Sequence, residues 1–178
     1  MTRPSRIITS TTAVLTALAL ASCSMKGTGM GPSDAPRTRN VVTVQTTLDT
    51  AFEEVRDRIT ELHPGMPWRE TSERATAPCN TEDGPGGTWH KTGQIIATGV
   101  NASVDEWPAW KAAVDQILAG HGFAPPHDIA SEGPARMLKY TNAEGDVFTF
   151  SANPQGPGIS ASSSCFIAET SRPGSSGT

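Results

Sequence analysis

Long apolar runs are almost absent from this sequence. The one marked run, residues 13–20, is well short of the roughly 20 residues that a transmembrane helix needs, and polar residues follow it at once. Two arginines and no acidic residue precede the run, and the small residues Ala21 and Ser22 follow it. A basic start, a short apolar stretch and a small-residue processing site are typical of a secretory signal peptide. The sequence therefore predicts that residues 1–22 are a signal peptide.

Cysteine is scarce, with three residues in the chain. The first, Cys23, ends the stretch Leu20-Ala21-Ser22-Cys23, which fits a bacterial lipobox. In such a site the thiol receives a diacylglyceryl group and the signal peptidase cuts just before the cysteine. Two acyl chains give stable membrane attachment where one chain is reversible. The alternative is an ordinary signal peptide with a chance cysteine at this place. We predict that Cys23 is lipidated and holds the protein on the extracytoplasmic side of the cell membrane.

The other two cysteines, Cys79 and Cys165, show no C-x-x-C spacing, which disfavours a redox-active pair. In an exported chain they favour one intramolecular disulfide, with two free thiols or a metal site as the alternatives. The bridge would close a loop of about 86 residues, for which chain entropy gives at most about 4–5 kcal/mol of stabilisation.

Basic residues are also few. The chain has 14 Lys and Arg against 18 Asp and Glu. Loss of residues 1–22 removes two arginines, so the formal net charge of the remaining chain is 12 − 18 = −6. An acidic domain without a basic cluster is a poor candidate for nucleic-acid binding and is repelled by anionic lipid. The fatty chains must therefore provide the membrane contact, and an envelope protein or a glycan is the expected partner.

The remaining chain divides by composition. Residues 23–44 begin rich in Gly, Ser, Pro and Thr and are predicted to form a lipidated N-terminus and flexible tether. Residues 170–178 are predicted to be a disordered tail. The segment 45–169 has the length of a single domain.

Periodicity predicts an α+β fold for that domain. Apolar residues three and four apart mark two amphipathic helices, one ending before Pro64 and one with Pro108 in its first turn, capped by Ser103 or Asp105. Alternating runs predict about five strands, in the order αββ-αβββ. Both helices would pack on one face of an antiparallel sheet, and the other face would be polar. The predicted strands are 68–74, 90–100, 136–141, 146–152 and 159–167, with a long loop that carries Cys79.

A set of these features resembles a known family. The lipobox cysteine, the helix ending before Pro-Gly-x-x-Trp68, Pro78-Cys79, the helix ending in Gly-Phe123 and Ser164-Cys165-Phe166 resemble the LppA-like lipoproteins of actinobacteria. The resemblance covers most of residues 45–168. It implies the same disulfide and the same helix placement. It implies almost nothing about activity, because these are envelope lipoproteins without an established biochemistry.

No catalytic or metal-binding motif stands out. The histidines, His63, His90, His121 and His127, lack three-ligand spacing, so no metal or cofactor is expected. The glycine-rich residues 81–87 lack the Lys-Ser/Thr of a phosphate-binding loop. The serines between 160 and 164 lack a G-x-S-x-G elbow, and adjacent carboxylates on a helix do not face each other.

Tryptophan gives one candidate contact. Trp107 and Trp110 share the apolar face of the second helix and are expected in the core, whereas Trp89 lies among glycines and is free to meet a ligand or partner. The sequence therefore favours a non-enzymatic, membrane-anchored binding module that uses the polar sheet face and the 75–90 loop. The alternatives are a small cell-envelope hydrolase, whose site assembles only in three dimensions, and a purely structural envelope protein.

Overall fold

Two helices and ten strands make up the part of the chain that the computed structural model describes, residues 38–81, 84–100, 105–130, 135–153 and 156–169. None of the helices in these ranges combines the length and the apolar character needed to cross a bilayer. The helices are α1 (Val41–Leu62) and α2 (Trp107–Gly120), and the strands are β1 (Thr38–Arg39), β2 (Trp68–Ser72), β3 (Ala75–Thr81), β4 (Gly84–Lys91), β5 (Gln94–Ala97), β6 (His127–Ala130), β7 (Arg136–Thr141), β8 (Val147–Asn153), β9 (Gly156–Ser162) and β10 (Ile167–Ala168).

Helix α1 begins earlier than its sequence suggests. The side chain of Asn40 caps it by accepting a hydrogen bond from the Thr43 N–H at 3.1 Å. Val44 is buried on the same face of the helix as Leu48 and Phe52, and β1 pairs with β10. Residues 38–44, which composition assigned to the tether, therefore belong to the fold. The predicted signal peptide, Cys23 and the tail 170–178 lie outside the described residues.

Helix α2 has Pro108 in its first turn, as predicted. The expected cap is wrong, because Glu106 occupies that position and makes no side-chain cap hydrogen bond. At the other end Gly122 has a φ of 80°, and the Phe123 N–H donates to the Leu118 carbonyl at 2.9 Å. This left-handed glycine followed by a buried aromatic is the predicted helix stop.

The main sheet is antiparallel throughout and has eight strands in the described residues, against the five expected. Its order is β2-β5-β9-β8-β7-β6, and the β3–β4 hairpin joins it through the pairing of β4 with β9. The predicted 75–90 loop is therefore wrong, since most of it is this hairpin. Proline and glycine weaken the alternation there, and contacts distant in sequence determine the pairing. Strands β1 and β10 form a separate parallel pair.

Three predicted strands are shorter than expected, and the first of them, 68–74, ends at Ser72. The run 90–100 is interrupted at Thr92, whose side-chain oxygen accepts the Ala161 N–H at 2.9 Å and so takes a main-chain place in the ladder. The run 159–167 leaves the sheet after Ser162, and the buried Phe166 instead bridges to Thr88.

The core lies between the helices and one face of the sheet. Leu138 pairs with Phe150 and Tyr140 with Phe148, and all four side chains are buried. Trp107 stacks on Phe150 with ring centroids 5.6 Å apart. The two-layer α+β arrangement leaves the opposite face of the sheet uncovered by either helix, and this face carries the candidate site.

Candidate binding face of the sheet

The uncovered face of β4, β8 and β9 contains a shallow groove of about 150 Å³. Strand registry brings its residues together, because Thr149 pairs with Ser160, and Ser162 pairs with both Val147 and Lys91. Paired residues project on the same side of a sheet, so these side chains share one surface. The residues that line the groove are Trp89, Lys91, Val147, Thr149, Ser160, Ala161 and Ser162.

Trp89 lies in strand β4 rather than in a loop. Its neighbour His90 is buried on the helix side, so alternation directs Trp89 and Lys91 to the uncovered face. Trp89 is half-buried, and Lys91 Nζ donates to the Ser72 hydroxyl at 2.7 Å. The indole therefore borders the groove in a position fixed by the strand.

Small hydroxyl side chains form the rest of the groove. Thr149, Ser160 and Ser162 are each partly exposed, and their size leaves a depression beside the larger indole ring. Lys91 is the one charged residue among the described residues that line it. This part of an acidic protein thus presents one positive charge, several hydroxyl donors and acceptors, and an aromatic side chain.

The disulfide holds the hairpin that carries Trp89. Cys79 and Cys165 are bonded, with an S–S distance of 2.09 Å and Cα atoms 6.1 Å apart, as the sequence predicted. Next to it, the Thr88 N–H donates to the Phe166 carbonyl at 2.7 Å, and the Phe166 N–H donates to the Thr88 carbonyl at 2.9 Å. The C-terminal segment thus fixes β4 one residue away from Trp89.

A partly buried ion pair connects the beginning of the fold to the turn before β8, beside the same segment. Two guanidinium nitrogens of Arg39 donate to the two Asp146 carboxylate oxygens at 2.6 and 2.7 Å, and Asn142 and the Ser164 N–H donate to that carboxylate at 3.0 Å. Burial alone would raise the pKa of Asp146, but these hydrogen bonds and the charge of Arg39 outweigh it and lower the pKa. Arg39 also lies over the ring of Phe166.

His63, His90 and His121 each lie beside a carboxylate. His63 Nδ1 lies 2.9 Å from Glu106 Oε1, His121 Nε2 lies 2.9 Å from Glu54 Oε2, and His90 Nε2 lies 3.3 Å from Asp49 Oδ1. The first two pairs connect α1 with α2. Within the described residues, no group of three or more His, Cys, Asp and Glu is placed to hold a metal ion.

A second cavity, of about 270 Å³, lies where α2 meets β7. The Tyr140 hydroxyl donates to Asp115 Oδ1 at 2.8 Å, and burial together with this hydrogen bond raises the pKa of Tyr140. Asp115 also pairs with Lys111, so the polar groups at this cavity already satisfy one another.

The structure places the tryptophans considered as candidate contacts in two different environments. Trp107 and Trp110 pack in the core or against it, as expected, and Trp89 lies on the polar face together with the serines of β9. Periodicity did not indicate the Arg39–Asp146 pair, because its members are 107 residues apart. It also did not indicate that His90 meets Asp49 and a threonine.

The comparisons with known proteins concern this same domain. A family model described as "LppA: Lipoprotein confined to pathogenic Mycobacterium" matches residues 40–169. The chain belongs to the LppA family. No curated protein matches the chain in sequence.

Two solved structures share the LppA fold. One is a DUF4853 family protein from Actinomyces odontolyticus, with a TM-score of 0.53, 11% identity, and coverage of 76% of this chain and 75% of that one. The other, from Mycobacterium tuberculosis, is described as the lipoprotein LppA, with a TM-score of 0.52, 11% identity, and coverage of 74% and 80%. At this identity the likeness concerns the fold of LppA proteins and not their ligands.

Proposed function

We propose that this LppA-family protein is a lipid-anchored module that binds a glycan of the cell envelope on the uncovered sheet face. The observation that carries the proposal is the groove in which Trp89, Lys91 and the hydroxyls of β8 and β9 converge. A few placed polar groups beside an aromatic side chain are typical of sites that fix a small polar ligand.

The shape of the groove favours one unit of a chain. Its volume of about 150 Å³ is about half of the roughly 300 Å³ at which pockets for whole small molecules begin. A single sugar ring can lie against the indole of Trp89 while neighbouring units extend over the open sheet. The apolar face of an aromatic ring suits the C–H face of a sugar, and hydroxyls of Thr149, Ser160 and Ser162 suit its hydroxyls.

The charge of the groove favours an acidic substituent on that glycan. Lys91 lines the groove, and Lys139 on β7 is the exposed cross-strand neighbour of Thr149. Two cations on one face of a chain with an excess of acidic residues attract an anionic group locally. The groove offers no carboxylate or imidazole among its described lining residues, which agrees with binding rather than turnover.

The anchor supports the same role. Family membership supports a lipoprotein, and the stretch Leu20-Ala21-Ser22-Cys23 supplies the acylation site. Acyl chains on Cys23 would hold the domain at the outer surface of the cytoplasmic membrane, within reach of envelope glycans.

The test is calorimetric titration of the full chain in detergent with soluble acidic cell-wall oligosaccharides. Trp89→Ala is expected to weaken binding at least tenfold. Lys91→Gln should weaken the binding of acidic oligosaccharides more than that of neutral ones. Val42→Ala serves as control, because Val42 is an exposed apolar residue on α1. Equal affinity of Trp89→Ala and the unaltered protein, or no binding of any oligosaccharide, would contradict the proposal.

A further inference from the structure

We propose that Asp49, His90 and Thr76, on the helix side of the β3–β4 hairpin, form a relay that activates the Thr76 hydroxyl to cleave carboxylic esters. Thr76 Oγ1 lies 3.0 Å from His90 Nδ1, and His90 Nε2 lies 3.3 Å from Asp49 Oδ1. Thr76 is thus placed as the nucleophile, His90 as its base and Asp49 as the group that orients the base, and neighbouring members lie at or close to hydrogen-bond distance. The site is independent of the groove, which lies on the opposite face of the hairpin.

The hydrogen-bond pattern fixes the direction of the relay. A carboxylate accepts only, so the His90 proton belongs on Nε2 and Nδ1 is left as the acceptor. The Gln45 amide nitrogen donates to Thr76 Oγ1 at 3.0 Å, so the hydroxyl hydrogen is free to point at Nδ1. The imidazole is therefore placed as a general base towards Thr76.

The exposure of His90 and Thr76 agrees with their roles as base and nucleophile. His90 is 1% exposed, whereas Thr76 is an exposed residue on the outer strand of the hairpin. Arg74 Nη1 lies 3.0 Å from the second oxygen of Asp49, which keeps that carboxylate in place. The base is thus sheltered from water and the nucleophile can be reached.

Donors for a developing oxyanion lie beside the nucleophile. The Gln45 amide carries two N–H groups. The main-chain N–H and carbonyl of His90 are both directed to Ser163, at 2.8 and 2.7 Å, so the pair Thr76–His90 is not hydrogen-bonded within the hairpin. In an antiparallel ladder such a residue directs its own N–H away from the partner strand. The Thr76 N–H consequently faces the edge of β3, which in the described residues pairs with β4 alone.

The surroundings favour a neutral ester over a phosphate. Asp49 and Glu53 both face Arg74 within 4 Å, and Glu53 also pairs with Arg56, so the charges near the nucleophile already pair with one another. Arg74 is therefore engaged and is poorly placed to neutralise an anionic phosphoryl group, whereas an ester carbonyl acquires one negative charge only in the transition state.

The proposed reaction is ester hydrolysis through an acyl-threonine. Thr76 Oγ1 forms a bond to the acyl carbon, and the bond from that carbon to the alcohol oxygen breaks. The hydroxyl proton passes to His90 Nδ1 and from there to the leaving oxygen. Water then attacks the acyl-threonine with the same base, which releases the carboxylic acid and restores the hydroxyl.

The test is hydrolysis of p-nitrophenyl acetate by the full chain in detergent, with peptide mass spectrometry of the quenched protein. We expect one acetyl group on Thr76 and a loss of turnover on the order of 100-fold in Thr76→Val and His90→Gln, which is the usual contribution of general-base catalysis. Thr76→Ser should retain turnover, because it keeps the hydroxyl.

Thr71→Val is the matched control, since Thr71 is an exposed strand threonine whose hydroxyl donates to a main-chain carbonyl. Circular dichroism establishes that each variant is folded. If His90→Gln does not fold, Asp49→Asn tests the relay instead, because it removes the carboxylate that orients His90. An acetyl group on a histidine or lysine instead of Thr76, turnover of Thr76→Val equal to that of Thr71→Val, or no turnover by the folded unaltered chain would overturn the proposal.

Discussion

The pair Arg39–Asp146 is the residue-scale contact with the greatest expected effect on stability. Asp146 is 1% exposed and accepts hydrogen bonds from Arg39, Asn142 and a main-chain N–H. Loss of one partner of a buried pair leaves the other charge uncompensated. Asp146→Asn is expected to lower the free energy of unfolding by about 3–5 kcal/mol at neutral pH, measured by urea denaturation. Asp57→Asn, in the exposed pair with Arg56, should change it by less than about 1 kcal/mol.

The same carboxylate predicts how stability depends on pH. The pKa of Asp146 is lowered from its ordinary value of 3.8, so its ionised form stabilises the fold above that pH. This contribution is lost as pH falls below about 4 towards the folded-state pKa. Thermal melts from pH 6 to pH 2 should therefore show a steeper acid decline for the unaltered protein than for Asp146→Asn. Parallel declines would contradict this assignment.

Replacement of glycine by alanine is expected to have opposite effects on stability at Gly156 and at Gly120. A Cβ on Gly156, where φ is 136°, would lie 1.8 Å from the Ala97 carbonyl oxygen, whereas a Cβ on Gly120 meets nothing within 4 Å. Gly156→Ala should destabilise by at least about 1–3 kcal/mol, the usual cost of overpacking. Gly120→Ala, at the end of a helix, should be neutral or stabilise by up to about 1 kcal/mol. Thermal denaturation of the two variants measures both, and equal melting temperatures would contradict the close packing at Gly156.

At the scale of elements, the β3–β4 hairpin is attached to the sheet through β4 and the disulfide. Strand β4 joins the sheet through the pair Lys91–Ser162 and the hydrogen bonds between His90 and Ser163, and the disulfide and the Thr88–Phe166 bridge also hold the hairpin. The double variant Cys79→Ser with Cys165→Ser should lose about 2–5 kcal/mol of stability. Hydrogen exchange should accelerate first in β3 and β4, while β7 and β8 stay protected. Uniform acceleration over all strands would contradict a local role for the bridge.

The elements also differ in how well the sequence predicts them. Helix α1, helix α2 and the β7–β8 hairpin follow from apolar spacing and from the turn at Asn142–Gly145, because each buries one regular face. Strands β3 and β4 do not, since proline and glycine obscure their alternation and partners distant in sequence hold them. The sequence indicated Trp89 and the polar sheet face as candidate contacts, but not the strand register that brings them together in one groove.

At the scale of the whole molecule, the anchor and the domain are predicted to be separable. Cys23→Ser removes the acylated thiol but no residue of the described fold. The variant is expected to appear in the culture medium or in the soluble envelope fraction, while the unaltered protein stays with membranes. Intact-mass measurement of the membrane form should show cleavage before Cys23 and an added diacylglyceryl group. Membrane retention of Cys23→Ser would contradict a lipid anchor.

Binding of glycan to the uncovered sheet face is tested most directly by the amide chemical shifts of the labelled protein during titration with acidic cell-wall oligosaccharides. We expect shifts to concentrate at Trp89, Lys91, Thr149, Ser160 and Ser162, α1 and α2 to stay unchanged, and Trp89→Ala to abolish the response. Shifts confined to the helices, or no shifts at saturating oligosaccharide, would contradict it.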